Sequence, residues 1–311
     1  MVSRGNKNLI WSGICFAAAL TVLLLSDPLA ARDRAEGMRA LSKTINEGDS
    51  TEKSYTSQIR EWHDRRVAGL KRKHGWLSLV ALNWLREGEN TIPSIGTMTL
   101  AGGNVTAQIA AGVAAKMDGS PFSSGVLKTD AEEGGPDTVE IGARAFIVIK
   151  RGDRYALRVW DSSSTARKEF TGVDCFPISS SWRITARWET YDVPKKIKVA
   201  SVIPGYVEDY PVPGVAVFSA GGKEYRLEPV LEPGARQLFF IFGDKTNGKE
   251  TYGSGRFLYA DFAENGSVVL DFNKAINPPC AFTSFATCPL PPKSNKLDLR
   301  IEAGEKKPKG H

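Results

Sequence analysis

From Gly75 to Glu305 the chain is a succession of short apolar runs broken by Gly, Asp and Ser. Thr97 to Leu100, Val105 to Ile109, Val113 to Met117, Val126 to Leu127, Val139 to Ile141, Phe146 to Ile149 and Tyr155 to Val159 predict strands at the spacing of a β-sandwich. No helix-length pattern interrupts them, which argues against a parallel sheet with helical crossovers. Composition shifts to small and charged residues from Asp161 to Trp182, where the join between two domains is placed. Strands then resume at Arg183 to Trp188, Lys196 to Val202, Gly214 to Ser219, Lys223 to Glu228, Gln237 to Phe242, Gly255 to Asp261 and Ser267 to Asp271. The expected fold is all-β: two β-sandwich-like domains over residues 52–168 and 169–306.

Two stretches before this differ. Tyr55, Ile59, Trp62 and Leu70 fall at helical spacing among basic residues, predicting an N-terminal helix from Thr51, its cap, to His74, with Gly75 as its stop. Its apolar stripe is read as a face docked on the body. Residues 75–94 form a dense apolar run ending in the turn cluster Glu87, Gly88, Glu89 and Asn90; periodicity alone does not divide it between strand and helix.

The first thirty-one residues change the picture of where the protein works. Arg4 and Lys7 precede an uncharged apolar run from Leu9 to Leu25, followed by Pro28, Ala30 and Ala31, the grammar of a signal peptide. An uncleaved membrane anchor through residues 9–25 is the competing reading. Either way the body is expected outside the cytoplasm, periplasmic or secreted, behind a flexible linker over residues 32–51. The chain has formal net charge +6, and loss of Arg4, Lys7 and Asp27 with the leader lowers it by one. Lys195, Lys196 and Lys198 form one basic cluster, and the tail over residues 307–311 contributes another with Lys306. Neither has interleaved aromatics, so no nucleic-acid partner is expected.

Candidate chemistry is sparse. Nucleophilic catalysis needs a base, and His63 and His74 are the only histidines before the terminal His311; no G-x-S-x-G elbow accompanies them. Asp244, Glu250, Asp271 and Arg256, with Tyr252, Asn273 and Asn277, cluster at predicted strand ends and could line a polar cleft; turns and a structural ion pair explain the same residues. Gly248, Gly253 and Gly255 match no phosphate loop and read as turn glycines. Arg158, Asp161 and Arg167 surround a hydroxyl-rich loop, a second candidate for holding a carboxylate or sugar. The stretch from Asn277 to Pro292 carries five prolines and is the expected centre of a cleft. Export would place Cys280 and Cys288 in an oxidising compartment, and their short spacing predicts a disulfide, leaving Cys175 single. No metal site and no cofactor are expected.

Several segments can be matched together: GWLSLVALNWLREGENT at 75, LRVWDSSSTARKEFTG at 157, KETYGSGRFLYAD at 249, VVLDFNKAINPPCAF at 268, ATCPLPP at 286 and IEAGEK at 301. Over roughly residues 55 to 306 they resemble the bacterial family catalogued as domain of unknown function 1684. That resemblance implies no agreed activity, cofactor or catalytic residue. EGENTIPS followed by short strands also looks like the opening of a forkhead-associated type sandwich. Such phosphothreonine readers place an Arg directly after the turn glycine and a Ser and His further on. Here Thr91, Ile92, Pro93 and Ser94 follow Asn90, and no His lies between His74 and His311. The sandwich is retained as an expectation and phosphopeptide binding is rejected. The function expected is a non-catalytic envelope module binding a small molecule, glycan or envelope protein. The alternative is a carboxylate-dependent hydrolase acting on envelope glycan or ester.

Overall fold

A computed structural model describes residues 51–309. The leader, the apolar run over residues 9–25 and the linker up to Ser50 lie outside the described residues. Among those described, no helix is long and apolar enough to cross a membrane. The fold is all-β, two sandwich-like bodies with an N-terminal helix.

The first body pairs two antiparallel sheets. One has the order β1 (Leu79–Trp84), β10 (Arg154–Asp161), β9 (Arg144–Arg151), β8 (Val139–Ile141), β5 (Ala115–Met117) and β6 (Ser120–Phe122). The other has the order β2 (Gly88–Ile92), β3 (Gly96–Ala101), β4 (Asn104–Ile109) and β7 (Ser124–Leu127). Alternation in β4, with Val105, Ala107 and Ile109 buried and the residues between them exposed, turns one face inward. Against it pack Phe146, Val148, Tyr155, Leu157 and Val159 of β9 and β10. Both faces of β9 and β10 are covered, because Ile147, Ile149, Ala156 and Trp160 join a separate cluster with Trp76 and Phe285. Strands buried on both faces read as continuous apolar runs. Arg158 interrupts the run on that second face.

The second body has a four-stranded antiparallel sheet in the order β13 (Lys223–Leu227), β12 (Val207–Ala220), β11 (Arg183–Ala200) and β16 (Ser267–Asp271). The hairpin β14 (Leu238–Phe242) and β15 (Arg256–Ala260) packs on it. Side chains alternate across a strand, so Leu238, Phe240, Phe242, Leu258 and Ala260 enter this core while Phe239, Ile241 and Phe257 enter another. That second cluster also contains Trp76 and Cys288, so the two bodies meet through the hairpin's outer face.

The helix α1, residues 51–70, lies on the second body. Ile59 and Leu70 are fully buried, worth roughly 1.5–3 kcal/mol each relative to exposure. The same face donates Tyr55 Oη to Asp271 (2.9 Å), sets His63 Nε2 on the Asn273 carbonyl (2.9 Å) and pairs Arg66 with Glu305 (3.0 Å).

Four local expectations are corrected. The helix stops at Leu70 instead of His74, and Thr51 is already within it. A turn closed by the Gly75 N–H on the Arg72 carbonyl follows, then a 3-10 turn at Trp76–Ser78. Gly88 to Asn90 begin strand β2, because Asn90 Nδ2 bonds the Arg86, Gly88 and Met98 carbonyls and holds a tight bend before the strand. The strands expected at 183–188 and 196–202 are one strand, β11, whose register on β12 shifts between Thr190 and Lys195. β6 was not signalled, being three residues around Pro121.

Candidate functional site

A cavity of about 580 Å³ opens where the two bodies meet. Trp76, Arg151 and Arg158 come from the first body, Tyr206, Glu208, Tyr210, Phe239 and Tyr259 from the second, and Thr287 and Cys288 from the Pro-rich segment. Ligand sites concentrate at such interfaces because two convex bodies leave a concave seam.

The aromatic wall follows from strand alternation. Phe239 and Tyr259 are directly paired in the hairpin register and stack with centroids 4.7 Å apart and planes 7° apart. Phe257 meets Phe239 edge-on at 4.9 Å. Tyr259 keeps 40% of its surface exposed, so part of its ring remains open to a guest. Also in the lining, Tyr206 and Tyr210 both donate to Glu208 Oε2, at 3.1 and 2.9 Å. Burial and that acceptor push both phenols up, so they stay protonated as donors.

The floor is cationic. Arg158 is 7% exposed, with its guanidinium 5.5 Å from the Trp76 ring centroid. Its Nη2 reaches Thr287 Oγ1 at 3.4 Å, and its Nε is buried without a partner. Arg151 Nε approaches the same hydroxyl at 3.4 Å, while its Nη1 donates to Asp130 (2.8 Å) and the Lys150 carbonyl. Burial, then the neighbouring Arg151 charge, pulls Arg158 down to about 10, which leaves it cationic at neutral pH. A guanidinium carries five donors. Most of those on Arg158 have no protein acceptor among the described residues.

The strand-end residues expected to line a cleft are instead structural acceptors and donors. Arg256 is fully buried, 3.2 Å from Asp244, and donates to the Ile301 carbonyl at 2.9 Å and to the Ala303 carbonyl. Asp244 also accepts from Thr246 Oγ1 and from the Ile301 N–H (2.7 Å), so the pair fastens the C-terminal segment to the hairpin. Glu250 lies at the surface, paired with Arg300 at 2.7 Å, and Tyr252 donates to the Cys280 carbonyl at 3.0 Å. Asp271 and Asn273 receive α1, Asn273 Nδ2 bonding Tyr55 Oη and the Ser179 carbonyl, both at 2.8 Å. Asn277 is buried; its N–H donates to Glu305 and its carbonyl accepts from Arg66.

The second candidate loop divides. Asp161 caps its own turn by accepting from Ser163, and Arg167 bonds the Lys71 and Ser162 carbonyls. Arg158 points away from both, into the cavity. Of the segment from Asn277 to Pro292, Pro279, Thr287, Cys288 and Pro289 line that cavity. Others, such as Val199, Phe239, Phe257 and Tyr259, lie in strands whose composition announces only a core, so sequence spacing carries no signal for them.

The disulfide expected between Cys280 and Cys288 is not formed: both are free thiols, as is Cys175. The short loop brings them together, but the Cys280 backbone N–H donates to Cys288 Sγ at 3.1 Å, an arrangement that uses the sulfur as an acceptor. The Cys288 thiol lowers Cys280, the Cys280 thiol raises Cys288, and burial pushes Cys175 up to about 12.

Fold and cavity together define an all-β protein of two sandwich-like bodies with a ligand-sized chamber between them. Over residues 168–306 the chain matches the family model described as "Protein of unknown function (DUF1684)". The match covers the second body; the similar segment at Gly75 lies outside it. Among solved structures, an uncharacterized protein of Haloarcula marismortui, determined in solution by NMR, is 28% identical. The alignment covers 47% of this chain and 82% of that one, with a TM-score of 0.39. A search of curated proteins finds no match.

Proposed function

We propose that this is an exported, non-catalytic binding module that holds a small ring-bearing molecule, a glycan unit or an aromatic compound, in the cavity between its two bodies. The carrying observation is the stacked pair of buried Phe239 and partly exposed Tyr259 in the lining of a chamber of about 580 Å³ that also carries tyrosine hydroxyls and a carboxylate. Ring faces supply apolar contact at low entropic cost, and the polar groups fix orientation. The rival hydrolase reading has less support. Asp244 and Asp271 already accept hydrogen bonds from the protein, and Arg256 is sealed inside the fold.

Titration of the full chain with mono- and disaccharides and with aromatic acids and their amides is expected to give a saturable change in tryptophan fluorescence, because Trp76 lines the chamber. Ala200→Trp, which places a large ring at the chamber's exposed edge, should abolish it. An unchanged response in that variant places binding elsewhere, and no response from any compound removes the reading. Export rests on the charged, apolar, small-residue order of residues 1–31. A reporter fused after Ser50 is expected to be active outside the cytoplasm; activity only inside it removes this part.

A further inference from the structure

Resting on the reading of this chamber as a binding site, we infer that its ligand is an organic monocarboxylate, with the carboxylate on the Arg158 guanidinium and the ring against the aromatic wall. Three observations converge. Arg158 sits on the face of β10 that the second body covers, where every neighbouring position of that face is apolar, Ala156 and Trp160 among them. A charge there is costly unless something pairs it. The pairing inside the protein is incomplete: one long hydrogen bond to Thr287, a ring contact to Trp76, and an orphan Nε.

The nearest carboxylate does not fill the gap. Asp130 is committed to Arg151 Nη1 through Oδ2 and to the Lys150 N–H through Oδ1, at 2.8 and 2.9 Å. Arg151 and Asp130 therefore pair with each other, and the Arg158 guanidinium is left without a hydrogen-bonded carboxylate. A planar fork with free donors matches a planar carboxylate, two oxygens to two N–H groups. A phosphate dianion fits less well, because Glu208 and Glu232 also line the chamber and would repel a second negative charge. Thr287, which both arginines approach, is placed to donate its own hydroxyl proton to the guest.

The test compares phenylacetate with phenylacetamide, and indole-3-acetate with its amide, by calorimetry on the full chain. Each acid is expected to bind about 10- to 100-fold tighter than its amide, the range of a charge-assisted bidentate contact. In Arg158→Met, which keeps length and apolar packing, the preference should fall to about unity. Equal affinity for acid and amide in the natural protein overturns the carboxylate assignment while leaving the binding reading intact. Inorganic phosphate displacing the acids at equal concentration overturns it in favour of a tetrahedral anion. Silence of acids, amides and sugars alike removes the binding reading itself. The acid-to-amide comparison needs no variant, so a poorly folded Arg158→Met leaves the inference testable.

Discussion

Replacing Arg256 by Ala is expected to lower the unfolding free energy by about 3–5 kcal/mol, the loss typical when one member of a buried ion pair is removed. Arg256 and Asp244 are both sealed from solvent, with side chains 3.2 Å apart. Removing the guanidinium strands the Asp244 carboxylate and frees the Ile301 and Ala303 carbonyls inside the core. It also deletes the group that holds the C-terminal segment against the Phe242 ring. Urea unfolding followed by far-UV circular dichroism measures the loss. The double variant Asp244→Asn/Arg256→Met should lose less than the two single changes summed, because each single change leaves the other partner uncompensated. A single-variant loss below about 1 kcal/mol contradicts this structural role. Full stability joined to loss of a measured turnover would revive the electrostatic clamp of the hydrolase reading.

Most strands were legible because their signal is local. Val105, Ala107 and Ile109 alternate with polar residues, and β4 forms where they do. β2 is hidden for an equally local reason: Gly88, Glu89 and Asn90 have turn composition, and it is their backbone pairing with Met98, Thr99 and Leu100 that makes them a strand after a bend. The roles of the polar residues depended on distance along the chain. Tyr55 meets Asp271 across 216 residues, and Arg66 meets Glu305 across 239. Spacing arguments see neither, so Asp271, Asn273 and Asn277 read as exposed strand ends when they are the sockets of α1 and the C-terminal segment. Arg158 was singled out with a loop to which it does not belong. Its surroundings are set by Trp76, Thr287 and the hairpin, from three separate parts of the sequence.

Gly255→Ala is expected to cost about 2–5 kcal/mol, the sum of a strained backbone at roughly 1–2 and overpacking at roughly 1–3. Gly255 has φ +94°, and a Cβ there would lie 2.6 Å from the Phe242 carbonyl oxygen and 2.4 Å from Pro291 Cγ. Neither neighbour yields easily, since one is backbone of the central hairpin and the other a ring fixed in the Pro-rich segment. Gly248→Ala is the control. It shares a positive φ of +79° but opens onto free space, so only the backbone strain of about 1–2 kcal/mol should appear. Thermal or urea unfolding of both variants separates contact from conformation; equal losses would mean that the Pro291 contact carries nothing. Pro291 belongs to the segment that brings Thr287 and Cys288 to the chamber. Pushing it outward should therefore weaken acid binding in Gly255→Ala beyond any effect seen in Gly248→Ala, measured well below the unfolding transition. A glycine that reads in sequence as a turn residue would then act on ligand binding through packing, by letting a proline close on the hairpin.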